Sequence, residues 1–378
     1  MSRLLVLAAA CGLLLLTLTY VTHLGGAGLD LPSYLEGARR LAATGIPYHP
    51  DAFEGPLPME AEMATTYRYA PLAAQLVLPL VGLPFSLVSA LVFVLFLVAG
   101  IVGIAAGARA GGARPMTALL VGLAIGGCLP VIGFGAHIGN VTPLFAIAVG
   151  LALRSAYGGA FALAFVAILK PTALPLLLPL IRDRRLLIGA ATAGALIIGL
   201  SVTFGAEAWG AYLQVAANVT LPPATTGYQA IGPGPALRAL GIESFGVLVG
   251  GAAAIAAGVA AVHWAPRDPF RSMAAAAIAA SIVNPSASIH GLAPLLPVFA
   301  ARWPAVSRRA RASGLIGLFL LSWWPAIAGG PHLGLLVAWA AMAAGLLAPS
   351  VSRRASLDSA PLTTEMEPSI PIATRSPL

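Results

Sequence analysis

The stretch FSLVSALVFVLFLVAGIVGIAAGA, residues 85–108, contains no charged side chain and decides the fold class. A helix needs roughly 20 consecutive apolar residues to cross a bilayer, so this stretch predicts a transmembrane helix. The whole chain has the same bias, because 59% of its 378 residues are hydrophobic, 9% are charged and the mean hydropathy is +0.91. A water-soluble core could not use so many apolar residues, and we therefore predict an all-α polytopic membrane protein.

Further apolar runs, bounded by clusters of Arg, Pro and Gly, predict a bundle of about twelve transmembrane helices. The predicted spans are residues 4–22, 85–108, 116–134, 141–153, 157–169, 171–182, 185–205, 244–264, 271–283, 289–301, 312–328 and 332–350. Residues 1–350 are predicted to form one membrane domain. Residues 351–378 are rich in Pro, Ser and Thr and are predicted to be a disordered cytoplasmic tail.

The distribution of charge predicts the orientation, because cytoplasmic loops retain Arg and Lys. With both termini in the cytoplasm, 16 of the 21 basic residues fall on the cytoplasmic side and eight of the 13 acidic residues fall outside. We therefore expect a multi-pass plasma-membrane protein whose active site faces the outside, or periplasm. The net charge of +8 describes a basic rim that faces anionic lipid headgroups, and we expect no nucleic-acid partner.

The first exported segment follows the first span directly. Residues 1–27 also resemble a secretory signal, but no convincing A-x-A cleavage site precedes Asp30, so we predict that this span is retained. The stretch LDLPSYLEGARRLAATG, residues 29–45, has apolar residues at helical spacing and a terminal glycine. It predicts an amphipathic helix on the outer interface.

Two other exported stretches are more than turns. The apolar stretch that ends at Pro84 is predicted to be re-entrant or interfacial, because counting it as a span would invert every later loop. The stretch LPPATTGYQAIGPGP, residues 221–235, is either a mobile lid or a simple connector.

Asp30 is the first carboxylate of the chain and stands where the first span ends. A carboxylate beside apolar helix ends loses hydration, which raises its proton affinity towards that of a general base. Asp30 also has the position of an ordinary helix start, with Pro32 two residues later. Both interpretations remain open on these residues alone.

Five stretches, in this order and at these spacings, resemble the actinobacterial membrane mannosyltransferases of glycosyltransferase family 87, which have the GT-C fold. They are LDLPSYLEGARRLAATGIPYHP (29–50), YRYAPLAAQLVLPLVGLP (67–84), GNVTPLFAIAVGLAL (139–153), AILKPTALPLLLPLIRDRR (167–185) and VNPSASIHGLAPLLPV (283–298). Each stretch is a loose signature by itself, and together they are fairly specific. The resemblance covers most of residues 1–350.

The resemblance implies transfer of a mannosyl residue from polyprenyl-phosphate-mannose to a lipid-linked mannoside or glycan acceptor on the outer face. It implies that Asp30 is the catalytic base towards the acceptor hydroxyl, with Tyr34, Ala38 and Gly45 completing the pattern of the first loop. A phosphate already activates the sugar, so one base and cations for the leaving phosphate suffice, and a single displacement inverts the anomeric carbon. The lipid-linked sugar is a substrate, and no cofactor is predicted.

Two alternatives to mannosyl transfer remain. Arabinosyl transfer from a polyprenyl-phosphate donor is chemically parallel, and the sequence does not distinguish a furanose from a pyranose pocket. A non-catalytic transporter or flippase of polyprenyl lipids would have the same architecture but would not require Asp30.

Two basic residues are predicted to bind the donor phosphate. Lys170 is the only lysine of the chain and lies between two apolar stretches, where an unpaired charge is costly. The alternative for Lys170 is snorkelling to lipid headgroups. Arg68 can grip a phosphate in two places, and its neighbours Tyr67 and Tyr69 could stack on a sugar, although tyrosines at this depth often form an interfacial belt.

Four residues are predicted to contact the sugar or the acceptor: Tyr34, Tyr69, Asn140 and His290. Asn140 stands where the family tends to have glutamine, and His290 lies in a late polar turn, where a solvated loop histidine is the alternative. His49 and Asp51 would supply only two metal ligands, so no metal site is predicted.

Overall fold

The structure, a computed structural model, describes residues 3–24, 30–54, 67–218, 231–238, 242–283, 288–328 and 333–351. Within these ranges every regular element is helical. The α-helices are α1 Arg3–Leu24, α2 Asp30–Thr44, α3 Pro71–Val77, α4 Phe85–Ala110, α5 Pro115–Cys128, α6 Pro130–Ile138, α7 Pro143–Arg154, α8 Ala156–Leu169, α9 Arg184–Thr203, α10 Ala206–Asn218, α11 Pro233–Arg238, α12 Glu243–Trp264, α13 Pro269–Val283, α14 Leu295–Arg302, α15 Arg308–Ala328 and α16 Leu333–Leu347. Four 3-10 helices cover Pro50–Phe53, Leu78–Leu80, Pro171–Arg182 and Ile289–Leu292.

The apolar helices indicate a membrane protein. In the described part of the chain, three helices are long and apolar enough to cross a bilayer, namely Arg3–His23, Phe85–Ala110 and Arg184–Thr203. A fourth span results if the bent pair α5 and α6 is counted as one. The remaining apolar helices are shorter, so the count of twelve spans stays a prediction.

Three predicted spans are not continuous α-helices, and proline accounts for two of these departures. The span predicted at 116–134 is broken, because Pro130 forces Leu129 into an extended conformation and α5 and α6 meet at a bend of 67°. Residues 171–182 form a 3-10 helix, since Pro175 and Pro179 inside it cannot donate the hydrogen bonds of an α-helix. The span predicted at 289–301 divides into a 3-10 helix and α14.

The bundle is centred on α4, which packs against α5, α7 and α14. Small residues allow these close approaches, as membrane helix packing requires. A Cβ added to Gly103 would lie 2.3 Å from the backbone of Ala146, and one added to Gly107 would lie 2.1 Å from the carbonyl oxygen of Pro297. Backbone contact therefore determines the position of α7 and α14 on α4.

Helices of alternating direction give the bundle two chemically different ends. At one end α1 finishes and α4 begins, where the His23 ring lies 2.8 Å from the hydroxyl of Ser89. The helices that begin there run to the other end and terminate in arginine. These arginines are Arg109 in α4, Arg154 in α7, Arg182 in the 3-10 helix and Arg302 in α14. The predicted basic rim therefore coincides with one end of the bundle.

The segment after α1 forms a helix where one was expected. In α2 the apolar face, which includes Leu31, Leu35 and Leu41, is buried, and Gly45 ends the helix with a φ of +78°. The apolar stretch that ends at Pro84 forms only α3 and the 3-10 helix Leu78–Leu80, neither of which is long enough to span a bilayer. The position of α2 relative to a membrane stays a prediction.

Two other predictions fall largely outside the described residues. The structure does not describe residues 352–378, which hold nearly all of the predicted disordered tail. It also does not describe residues 219–230, which hold most of the possible lid. The boundary between membrane domain and tail likewise stays a prediction.

Candidate functional site

Segments distant in sequence converge at the end of the bundle where α1 finishes. Asp30 is the first residue of α2, Arg68 and Tyr69 precede α3, Asn140 follows α6, and Lys170 follows α8. Asp30 lies within electrostatic range of Lys170 and Arg68 and receives a hydrogen bond from Asn140. The structure therefore brings together the residues predicted to be the base and the phosphate ligands.

The carboxylate of Asp30 is in an environment suited to a proton acceptor. Burial raises the pKa of Asp30 above its ordinary value, while the charge of Lys170, the hydrogen bond from Asn140 and the charge of Arg68 act in the opposite direction. The residue as a whole is intermediate in exposure. A carboxylate with a raised pKa can accept a proton from a hydroxyl group placed beside it.

Lys170 occupies the turn between α8 and the 3-10 helix that begins at Pro171. The proline disfavours a helical conformation in the preceding residue, and Lys170 is extended, with φ of −145° and ψ of 105°. Its ammonium group lies 5.6 Å from the centre of the Tyr69 ring, at cation–π distance. Lys170 and Asp30 interact electrostatically, yet the described residues contain no Lys170–Asp30 ion pair within 4.0 Å.

Three hydrogen bonds of two tyrosine hydroxyl groups hold the backbone around Arg68. The hydroxyl of Tyr48 donates to the carbonyl oxygen of Tyr69 at 2.9 Å. The hydroxyl of Tyr67 donates to the carbonyl oxygen of Ala70 at 2.5 Å and accepts a hydrogen bond from the backbone nitrogen of Ala74 at 2.9 Å. Tyr67 therefore caps α3, and because it is only 1% exposed it is not available to stack on a sugar, contrary to expectation.

Arg68 and Tyr69 themselves are partly exposed. Burial lowers the pKa of Arg68 from its ordinary value, whereas Tyr69 and Asp30 raise it, and an arginine of this kind stays protonated. Burial raises the pKa of Tyr69, and the charge of Asp30 raises it further, so the phenol stays neutral. Arg68 and Tyr69 thus offer one cation and one aromatic surface beside the carboxylate.

Tyr34 lies on α2, one helical turn after Asp30, and its ring contacts that of Tyr69. The two rings are 4.6 Å apart between centroids, in an edge-to-face arrangement. Tyr34 is buried, and its hydroxyl has no hydrogen-bond partner of acceptable geometry among the described residues. Its predicted role as a sugar contact stays a prediction, and its observed contact is with Tyr69.

His290 is buried, contrary to the alternative of a solvated loop histidine. It is 5% exposed, lies 2.8 Å from the hydroxyl of Ser288 through Nδ1, and stacks on Phe134 with ring centroids 6.1 Å apart. His290 is within electrostatic range of Lys170. It therefore lies near Lys170.

The described residues contain no group of three His, Cys, Asp or Glu side chains arranged to share a metal ion. His49 and Asp51 form a pair with 3.1 Å between Nδ1 and Oδ2. The Asp51 side chain is 79% exposed.

One contact of the site was not expected from the sequence. Asn140 was predicted to contact sugar, whereas its amide contacts Asp30 in the structure, across 110 positions of sequence. No spacing rule connects Asn140 to the start of α2.

The model of glycosyltransferase family 87 matches residues 67–287 of this chain, which is more than half of its length. No curated protein matches the chain. The matched range contains Arg68, Tyr69, Asn140 and Lys170, whereas Asp30 precedes it and His290 follows it.

Proposed function

The chain belongs to glycosyltransferase family 87, and we propose that it transfers a mannosyl residue from polyprenyl-phosphate-mannose to a lipid-linked mannoside or glycan. The reaction takes place on the outer face of the plasma membrane, by a single displacement that inverts the anomeric carbon. The observation that carries the proposal is the Asp30 carboxylate, which has a raised pKa and lies within electrostatic range of Lys170 and Arg68.

Asp30 acts as the general base in this reaction. It takes the proton of the acceptor hydroxyl while the acceptor oxygen forms a bond to the anomeric carbon of the donor. The bond from that carbon to the phosphate oxygen breaks, and the polyprenyl phosphate leaves with the bonding electron pair. A base held beside the acceptor contributes about 10²–10⁴-fold to such a rate.

A single carboxylate supports inversion. Retaining glycosidases use two carboxyl groups about 5–5.5 Å apart, one of which forms a covalent intermediate. Within the described residues, the ionised groups that act on Asp30 are Lys170 and Arg68, and no second carboxylate is among them. One direct attack is therefore the simplest reaction for this site.

Lys170 and Arg68 bind the donor phosphate and stabilise the charge that develops as it leaves. With Asp30 ionised, the two cations leave one net positive charge, which matches the single negative charge of a sugar–phosphate–lipid diester. The absence of a close Lys170–Asp30 ion pair leaves the ammonium group available to the ligand.

Two observations support the outer face as the location. Asp30 follows α1 directly, and the helices that begin at the site run away from it and terminate in arginines. Arginine-rich ends are typical of the cytoplasmic side, so the site occupies the opposite side, where a lipid-linked donor replaces a nucleotide sugar.

The test compares Asp30→Asn with Asp51→Asn in purified protein, using polyprenyl-phosphate-mannose and glycolipid acceptors. We expect Asp30→Asn to lose at least about 10²-fold in kcat. Asp51→Asn serves as the matched control, because Asp51 is exposed in the same exported segment and, among the described residues, forms an ion pair with His49. The stereochemistry of the product linkage, read by NMR, tests inversion.

The burial of Asp30 allows a loss of catalysis in Asp30→Asn to be distinguished from a loss of folding. Because burial raises the pKa of Asp30, the ionised carboxylate costs folding free energy wherever the pH lies above that raised pKa. Asp30→Asn is therefore expected to melt no lower than wild type. Full transfer activity of Asp30→Asn would contradict the role of Asp30 as the base. Absence of transfer by the wild type would favour a transporter, and transfer from the arabinose donor alone would identify the sugar as arabinose.

A further inference from the structure

Among the described residues, Asn140 makes a short side-chain contact to Asp30. The amide nitrogen Nδ2 of Asn140 donates a short hydrogen bond to Oδ2 of Asp30, at 2.6 Å. Asn140 is only 2% exposed. One oxygen of the carboxylate is thus bound by a buried donor.

The orientation of the Asn140 amide is fixed by its other hydrogen bonds. Its oxygen Oδ1 accepts a hydrogen bond from the backbone nitrogen of Thr142 at 3.0 Å, so the NH₂ group faces Asp30. The same NH₂ group makes a longer contact of 3.3 Å with the hydroxyl of Tyr69. Protein groups therefore bind both the NH₂ group and the oxygen of the Asn140 amide.

The backbone holds the Asn140 turn directly against the start of α2. Gly139 ends α6 with a φ of +76°, a conformation that favours glycine. A Cβ at Gly139 would lie 2.8 Å from the Cβ of Leu31 and 3.1 Å from its backbone nitrogen. This close approach is independent of the side-chain contact and brings Asn140 to the residue that precedes Leu31.

We propose that Asn140 is a positioning residue for Asp30, which holds Oδ2 so that Oδ1 faces the acceptor hydroxyl. This role rests on the proposed function, and it replaces the contact to sugar expected for Asn140 from the sequence. A base that is misplaced by about 1 Å can lose about 10²-fold in rate, which is why such a support matters.

Asn140 also affects the protonation of Asp30. Its hydrogen bond favours the ionised carboxylate and lowers the pKa of Asp30, as do the charges of Lys170 and Arg68. The phenols of Tyr34 and Tyr69 face the same carboxylate as neutral groups. Removal of the amide therefore raises the pKa of Asp30 and moves the acidic limb of the pH–rate profile to higher pH.

The test uses Asn140→Leu, which preserves size but removes the donor, and Asn140→Asp, which preserves the Thr142 contact and places a second carboxylate beside Asp30. We expect Asn140→Leu to lose about 10–100-fold in kcat, with the KM of donor and acceptor changed less than about 3-fold. The control is Asn218→Leu, because Asn218 donates to the carbonyl oxygen of Ala52, away from Asp30.

A second readout does not depend on activity. Hydrophobic carbodiimides react with protonated buried carboxyl groups, so the pH dependence of Asp30 labelling, measured by peptide mass spectrometry, reports its protonation. We expect the midpoint to move to higher pH by about one unit in Asn140→Leu, because a hydrogen bond to a charged group is lost. The shift is larger in Asn140→Asp, where two carboxylates compete for one proton.

The two readouts separate failure of the inference from failure of the proposed function. An unchanged labelling midpoint in both Asn140 variants, or a raised sugar KM with unchanged kcat, overturns the positioning role. A shifted midpoint in a protein whose wild type transfers no sugar supports the Asn140–Asp30 coupling and overturns the proposed reaction instead.

Discussion

Substitution of Gly139 by alanine tests whether the turn after α6 holds Asp30 in place. Gly139 has a φ of +76°, and α2 offers a matched glycine, Gly45, with a φ of +78°. An alanine in this left-handed conformation costs about 1–2 kcal/mol at either position. A Cβ at Gly45 meets no atom within 4 Å, whereas one at Gly139 would lie 2.8 Å from the Cβ of Leu31. The two variants therefore share the backbone strain and differ in the clash.

The clash can be converted into an expected loss of activity. Carbon atoms in van der Waals contact are about 3.5–4.0 Å apart, so the turn and the start of α2 must separate by about 1 Å in Gly139→Ala. A displacement of about 1 Å at a reacting group costs about 10²-fold in rate. We expect Gly139→Ala to lose about 10²-fold in kcat and Gly45→Ala to lose less than about 3-fold.

The assay is steady-state transfer with the lipid-linked donor, together with thermal unfolding of both variants in the same detergent. Similar melting temperatures would show that the strain is shared. Equal activities of Gly139→Ala and Gly45→Ala, at similar melting temperatures, would refute the link between the turn and Asp30.

Two further predictions concern single side chains. Lys170→Met should raise the KM of the lipid-phosphate donor by about 10–100-fold, because a contact to a charged phosphate is lost. An unchanged donor KM in steady-state assays would exclude Lys170 as a phosphate ligand. Tyr67→Phe removes the hydroxyl that caps α3 and should lower the free energy of unfolding by about 1–3 kcal/mol. Thermal unfolding measures that loss, and a Tyr67→Phe variant of unchanged stability would contradict the capping role.

The sequence predicted the helices well, because each apolar run is bounded by charges or prolines that end it. The helix at Asp30–Thr44 was visible from the spacing of Leu31, Leu35 and Leu41, and Gly45 marked its end. The break at Pro130 was missed, because the apolar run from 116 to 134 continues through it without a charge. Hydropathy indicates whether a segment lies in an apolar environment, but it gives no information about a bend within that segment.

The sequence indicated which residue types belong to the site, but it did not indicate most of the contacts between them. Lys170 and Arg68 were identifiable because charges beside apolar stretches are costly, and the structure places both within range of Asp30. The contact between Asn140 and Asp30 depends on how α6 packs against the start of α2, which no local pattern encodes. The burial of His290 depends likewise on Phe134 and Ser288 around it.

The pH dependence of kcat/KM tests the central claim, that Asp30 is the proton acceptor, most directly. Because burial raises the pKa of Asp30 above its ordinary value of 3.8, the wild-type rate should fall as the pH falls through that raised pKa. The residual rate of Asp30→Asn should lack this acidic limb. An acidic limb with the same midpoint in wild type and in Asp30→Asn would contradict the account.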